Sequence, residues 1–114
     1  MEILDLAKEA VKAALDKKAI DVVVLRMNDL TIITDYFVIA TSSNSTQAKA
    51  IANSVEKVMK ESGQILLSKE GLMDGKWILL DYGCIIVHIF LEETRRFYDL
   101  EALWGDAEVI DYSG

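Results

Sequence analysis

From Ile3 onward the chain sets apolar against polar residues in a helical rhythm. Ile3, Leu4, Ala7, Ala10, Val11, Ala14 and Leu15 recur every three or four residues, and Asp5, Lys8, Glu9, Lys12 and Asp16 fill the other side. That spacing gathers the apolar groups into one stripe and predicts an amphipathic helix. Ile20–Leu25 is a short valine-rich run, which predicts a strand buried on both faces. Asn28-Asp29 marks a turn. Asp35-Tyr-Phe-Val-Ile-Ala-Thr41 predicts a second strand. In Ser42-Ser43-Asn44-Ser45-Thr46-Gln47, Asn44 or Ser45 can cap a helix while Gln47 reaches back from its first turn. The helix that follows carries Ala48, Ile51, Ala52, Val55, Val58 and Met59 on one face, and Gly63 stops it.

Beyond that stop the pattern returns to strands. Ile65–Leu67 reads as a short one, 70–75 as a loop, and 76–82 and 84–91 as two more. A short helix starts at Glu92. Tyr98, Leu100, Leu103 and Trp104 lie on a last, partly helical segment. The expected order is α-β-β-α-β-β-β-α. This is a single α/β domain over residues 1–107, with a mixed, mostly five-stranded sheet and flanking helices. Residues 108–114 are expected to form an acidic, mobile tail.

The only cysteine and the only histidine, Cys84 and His88, fall in one run, KWILLDYGCIIVHIF. On a strand, residues four apart share a face but stand about 13 Å from each other. That is too far for a thiolate–imidazole pair, and one of each lacks the clustered spacing of a zinc site. Both are expected to be structural. A two-residue loop at Tyr82-Gly83 would set Trp77 opposite His88 and Leu79 opposite Ile86, with Phe90 on the same face.

The serine-rich loop between a strand and a helix start is a place where phosphates bind in α/β proteins. It lacks the glycines and the Gly-Lys-Ser/Thr ending of a P-loop. The Asp-x-Glu spacings, Asp99/Glu101 and Asp106/Glu108, lie in the C-terminal segment and not on a strand after the loop, so no paired carboxylates stand ready to hold magnesium.

Composition narrows the partners. The chain has 114 residues, 52% of them hydrophobic, and a formal net charge of −7. It is long enough for one core. The negative charge opposes wrapping of nucleic acid and suits a basic partner. One cysteine fits a reducing compartment. No signal peptide or membrane span is legible, so a cytoplasmic location is expected.

Several motifs in order add up to a resemblance. They are Asp35–Thr41, then Ser45, Gln47 and Ala50-Ile-Ala52, Glu70-Gly71, Trp77, Asp81 and Gly83, Val87-His-Ile-Phe90, and Arg96-Phe-Tyr-x-Leu-Glu-x-Leu-Trp104. From about Asp5 to Ala107 the sequence resembles the ribosomal silencing factor family, also called RsfS or Iojap-like proteins. The resemblance implies a nucleotidyltransferase-like fold without catalytic carboxylates, and no enzyme activity, cofactor or metal. It implies binding to ribosomal protein L-fourteen on the large ribosomal subunit. Joining of the small subunit would be blocked, and translation repressed under nutrient limitation. It also implies a homodimer, for which the first helix and the region of the second strand are candidate surfaces. The expected partner-binding residues are Trp77, Leu79, Tyr98, Leu100 and Trp104 as an apolar patch, with Asp81 and Glu101 at its rim. Three positions depart from the family pattern, which has acidic residues at Arg26 and Cys84 and glycine at Ser42. The alternative is a nucleotidyltransferase-fold enzyme, or a nucleotide-binding protein, with an unrecognised site.

Overall fold

The computed structural model describes residues 2–112. Helix α1 (Ile3–Asp16) buries Leu6, Ala7, Ala10, Val11, Ala13 and Ala14, the stripe that its spacing predicts. Helix α2 (Ser45–Glu61) begins where Asn44 caps it. The Asn44 Oδ1 accepts the Gln47 N–H at 2.8 Å, and the Gln47 Oε1 accepts the Ser43 N–H. The Gln47 amide also donates to the carbonyls of Lys17 and Lys18, which ties the start of α2 to the end of α1.

Strands β1 (Ile20–Arg26), β2 (Tyr36–Ser42), β3 (Ser68–Glu70), β4 (Trp77–Asp81), β5 (Ile85–Leu91) and β6 (Glu108–Val109) form one mixed sheet in the order β3-β4-β5-β2-β1-β6. The β2–β5 pair is parallel and the others are antiparallel. Alternation along each strand sends Val38, Ala40, Ile78, Leu80, Val87 and Ile89 to the face that α1 and α2 cover. The opposite face carries Phe37, Ile39, Ile86 and Phe90, with Leu25 and Met27 in the same cluster.

The structure corrects four expectations. The sheet has six strands, not five, because the C-terminal tail joins it. Glu108 pairs with Arg26 and Val109 with Leu25, Ile110 is buried, and the Tyr112 hydroxyl donates to the Val22 carbonyl. Ile110 and Tyr112 pack on the core and so order the segment, and Arg26 adds an ion pair to Glu108 at 3.2 Å. That contact is electrostatic and not a directed hydrogen bond, since the Arg26 Nε finds no aligned acceptor. The last part of the expected tail, residues 113–114, lies outside the described residues.

The third strand is Ser68–Glu70 and not Ile65–Leu67. The pairing of Ser68 with Asp81 sets where it starts, which local apolar content cannot do. Strand β1 is not buried throughout. Ile20 and Asp21 are exposed, and a bulge between Ile20 and Val23, with Asp21 at φ 48°, turns the strand end outward. Strand β2 itself has all seven residues buried between β1 and β5, whereas Ile32 and Ile33 just before it are exposed.

The hairpin register also differs. Trp77 pairs with Phe90, Leu79 with His88 and Asp81 with Ile86. The turn centres on Gly83-Cys84, where Gly83 has φ 80° and donates its N–H to the Asp81 carboxylate at 2.8 Å. The register moves by two residues, so every side chain keeps its expected face.

Candidate functional site

The face of the sheet away from α1 and α2 has no long helix over it. The C-terminal segment covers part of it with α3 (Glu92–Tyr98) and α4 (Leu100–Leu103). Trp77, Leu79, Leu100 and Trp104 pack on its cluster and stay half-buried. Asp99, at φ 46°, ends α3, and its side chain accepts the Ala102 N–H that opens α4. This left-handed residue turns the chain so that Tyr98 and Trp104 both reach the sheet.

The aromatic rings form a connected series. Tyr98 meets Trp77 with centroids 4.7 Å apart, and Trp77 meets Phe90 at 4.9 Å. His88 stands beside Trp77 and edge-on to Phe37 at 4.6 Å, and Phe37 meets Trp104 at 6.3 Å. Trp77, Leu79, Tyr98, Leu100 and Trp104 therefore share one face. Asp81 does not rim the Trp77–Tyr98 end. It sits four residues along β4, about 13 Å away, and closes the hairpin turn. Glu101 lies beside the C-terminal segment, where its Oε1 accepts from the Arg95 Nε at 2.9 Å.

Sequence reasoning did not place Phe97 in the patch, although its ring is 81% exposed and meets Tyr98 at 5.1 Å. A signal existed. Adjacent aromatics on a helix point about 100° apart, so Phe97 and Tyr98 could not both face the sheet. A groove of about 490 Å³ runs between the loop before β4 and α3, lined by Gly71, Asp74, Trp77, Glu93, Phe97 and Tyr98 among others. A side chain at Gly71 would collide with the Trp77 carbonyl, so this wall needs a residue without one.

The end of β2 is arranged differently. A polar cleft of about 560 Å³ there includes Asp21, Thr41, Arg95, Arg96, Asp99 and Glu101. Its guanidinium groups are already engaged. Arg95 donates to Glu101, Thr41 and the Asp21 carbonyl, and Arg96 donates to Glu92. Ser42 is buried and donates to the Asn44 carbonyl. Among the described residues, no three His, Cys, Asp or Glu side chains come together as a possible metal site. No helix among them is long and apolar enough to cross a membrane.

Cys84 and His88 occupy separate environments. Cys84 lies in the hairpin turn, with its Sγ 3.8 Å from the Gln64 Oε1, and burial pushes its thiol pKa up. His88 is 4% exposed, and burial lowers its pKa to about 4. The Trp77 indole donates to its Nδ1 at 3.1 Å, while Nε2 has no partner. An unsatisfied buried donor costs about 1–3 kcal/mol.

Comparison with known proteins agrees with this fold. The sequence model of the family described as "Ribosomal silencing factor during starvation" matches residues 1–114. Ribosomal silencing factor RsfS of Halalkalibacterium halodurans is 40% identical over 113 residues, covering 99% of this chain and 94% of the relative. The RsfS of Chromobacterium violaceum is 40% identical over 105 residues, covering 92% and 86%. A crystal structure of a Chromobacterium violaceum protein superposes with a TM-score of 0.90 at 37% identity, covering all of this chain and 94% of that one. A whole-chain family match, relatives at this identity and the same fold in a solved structure lead to one conclusion: the chain belongs to the ribosomal silencing factor family.

Proposed function

We propose that this protein is a translational repressor that docks on ribosomal protein L-fourteen of the large ribosomal subunit and blocks joining of the small one. The observation that carries the reading is the half-open face of the sheet. Trp77 and Tyr98 are in ring contact there, and Tyr98 stays 49% exposed beside the open ring of Phe97. Aromatic anchors of this kind supply most of the energy of many protein interfaces. Leu79, Leu100 and Trp104 continue the apolar floor, and the acidic Asp81 and Glu101 flank it at a distance.

The net charge of −7 supports a protein partner over ribosomal RNA. It favours approach to a basic ribosomal protein and repels bare phosphate. Such a protein works in the cytoplasm by occupying a surface, as a regulator and not an enzyme. A homodimer remains part of the proposal, with α1 as the candidate surface, since Ile3 and Leu15 are partly exposed on it.

The test uses purified large and small subunits. The protein should cosediment with large subunits, lower the yield of joined ribosomes in proportion to dose, and bind isolated L-fourteen. Failure to cosediment would sink the reading. Sedimentation of the free protein at tens of micromolar would separately decide the dimer.

A further inference from the structure

His88 sits in the middle of β5, where the surroundings ask for an apolar side chain. Phe37, Trp77 and Phe90 surround the ring, and Leu79 and Ile39 pair with it on either side. The Nδ1 accepts the indole N–H of Trp77, so in the neutral ring the proton stands on Nε2. That N–H is buried and unpartnered. A leucine would fill the space without the orphaned Nε2–H, so packing alone does not explain an imidazole here.

What imidazole supplies, and leucine does not, is an acceptor for the indole. Trp77 is half-buried and opens on the groove beside α3. Its ring stands between Phe90 on its own sheet and Tyr98 on α3. Stacking tolerates sliding and rotation of a ring, whereas a hydrogen bond at one edge fixes its direction. We propose that His88 is a positioning residue of the docking surface. By accepting the Trp77 indole N–H it holds the ring in the one orientation that seats Tyr98, so both aromatics are ready before the partner arrives. His88 does not touch the partner. It acts through Trp77, by lowering the ordering cost of binding. This inference rests on the docking function proposed above.

The experiment compares His88→Leu, which removes the acceptor, with His88→Asn, whose amide oxygen can take the place of Nδ1. His88→Phe, an aromatic without an acceptor, serves the same purpose as leucine if that variant folds poorly. Three properties are read at pH 7.5: the melting temperature, the NMR resonance and solvent exchange of the Trp77 indole N–H (assigned with Trp77→Phe), and the affinity for purified large subunits. The acceptor-free variant should melt within a few degrees of the parent. Its indole proton should exchange at least about tenfold faster, and binding should weaken about tenfold by loss of preorganisation. His88→Asn should recover both. A folded acceptor-free variant with an unchanged indole resonance, or with a freed indole and parental affinity, overturns the proposal. The indole readout needs no partner. A parent that ignores large subunits therefore sinks the docking reading, whereas an unmoved indole sinks the positioning role by itself.

Discussion

The carboxylate of Glu101 accepts the Nε–H of Arg95 at 2.9 Å, and the same guanidinium reaches Thr41 on β2 and the Asp21 carbonyl at the β1 bulge. With its side chain only 12% exposed, Arg95 ties α3 and α4 to two strands at once. This strut holds the C-terminal segment, and with it Tyr98 and Trp104, over the open face.

Removing the strut should therefore loosen that segment. Arg95→Ala loses three charge-assisted bonds and should lower stability by about 2–4 kcal/mol. Glu101→Gln keeps an acceptor and should cost about 1 kcal/mol or less, since the pair is partly solvated. Urea titrations of both variants check the order. An Arg95→Ala protein as stable as the parent would remove the strut from the account.

Tyr98 and Trp104 should behave differently. Tyr98 is exposed and ends a short helix, so Tyr98→Ala should leave the melting temperature nearly unchanged. It should weaken large-subunit binding by about 2 kcal/mol, roughly thirtyfold. Trp104 packs against Phe37, so Trp104→Ala should cost about 2 kcal/mol or more of folding stability as well. Parallel melting and binding curves separate the two. A folded Tyr98→Ala protein that still blocks subunit joining at the parental dose would contradict the proposed face.

Stability should fall in mild acid because of His88. Its folded pKa of about 4 lies below the ordinary 6.5. Between those values the unfolded chain binds the extra proton, so stability rises with pH through that window and levels off above about 6.5. The full span is worth roughly 3 kcal/mol. Protonation also removes the acceptor of the Trp77 indole. Melting curves at pH 5 and pH 7.5 should show the drop, and His88→Leu should reduce it; an equal drop in that variant would assign it to the carboxylates.

The loop before α2 should act as a cap. Asn44→Ala should cost about 0.5–2 kcal/mol of stability. Calorimetry with magnesium and nucleoside triphosphates should give no heat of binding. Micromolar binding that disappears in a stable Asn44→Ala protein would favour the nucleotide-binding alternative.

Cys84 should be dispensable. Its thiol is partly buried with a raised pKa, so little thiolate is present at neutral pH. Alkylation should be slower than that of free cysteine, and Cys84→Ala should bind large subunits within a few-fold of the parent. A complete loss of binding would place the turn in the interface.

By itself the sequence determined the local elements and the family. The stripes of α1 and α2, the Asn44–Gln47 cap and the alternation along β4 and β5 are written in neighbouring residues, because backbone geometry sets periods of 3.6 and 2 at every position. The same period explains why a hairpin register read two residues off still placed Trp77, Leu79 and His88 on the correct face. The motif order from Asp35 to Trp104 sufficed for the family, since order and spacing survive without knowledge of contacts.

Only the tertiary structure decided which distant segments meet. The parallel β2–β5 pair, the recruitment of Glu108–Val109 to β1 and the reach of Arg95 to Asp21 join residues far apart in the chain. None of these has a local signature, because each depends on which surfaces remain uncovered after the rest has packed. The tail looked free for that reason, yet the exposed edge of β1 offered it unpaired backbone groups. The lone cysteine and the lone histidine separated in the same way. One lies in a turn and the other under an indole, and only the assembled sheet put Trp77 where His88 could hold it.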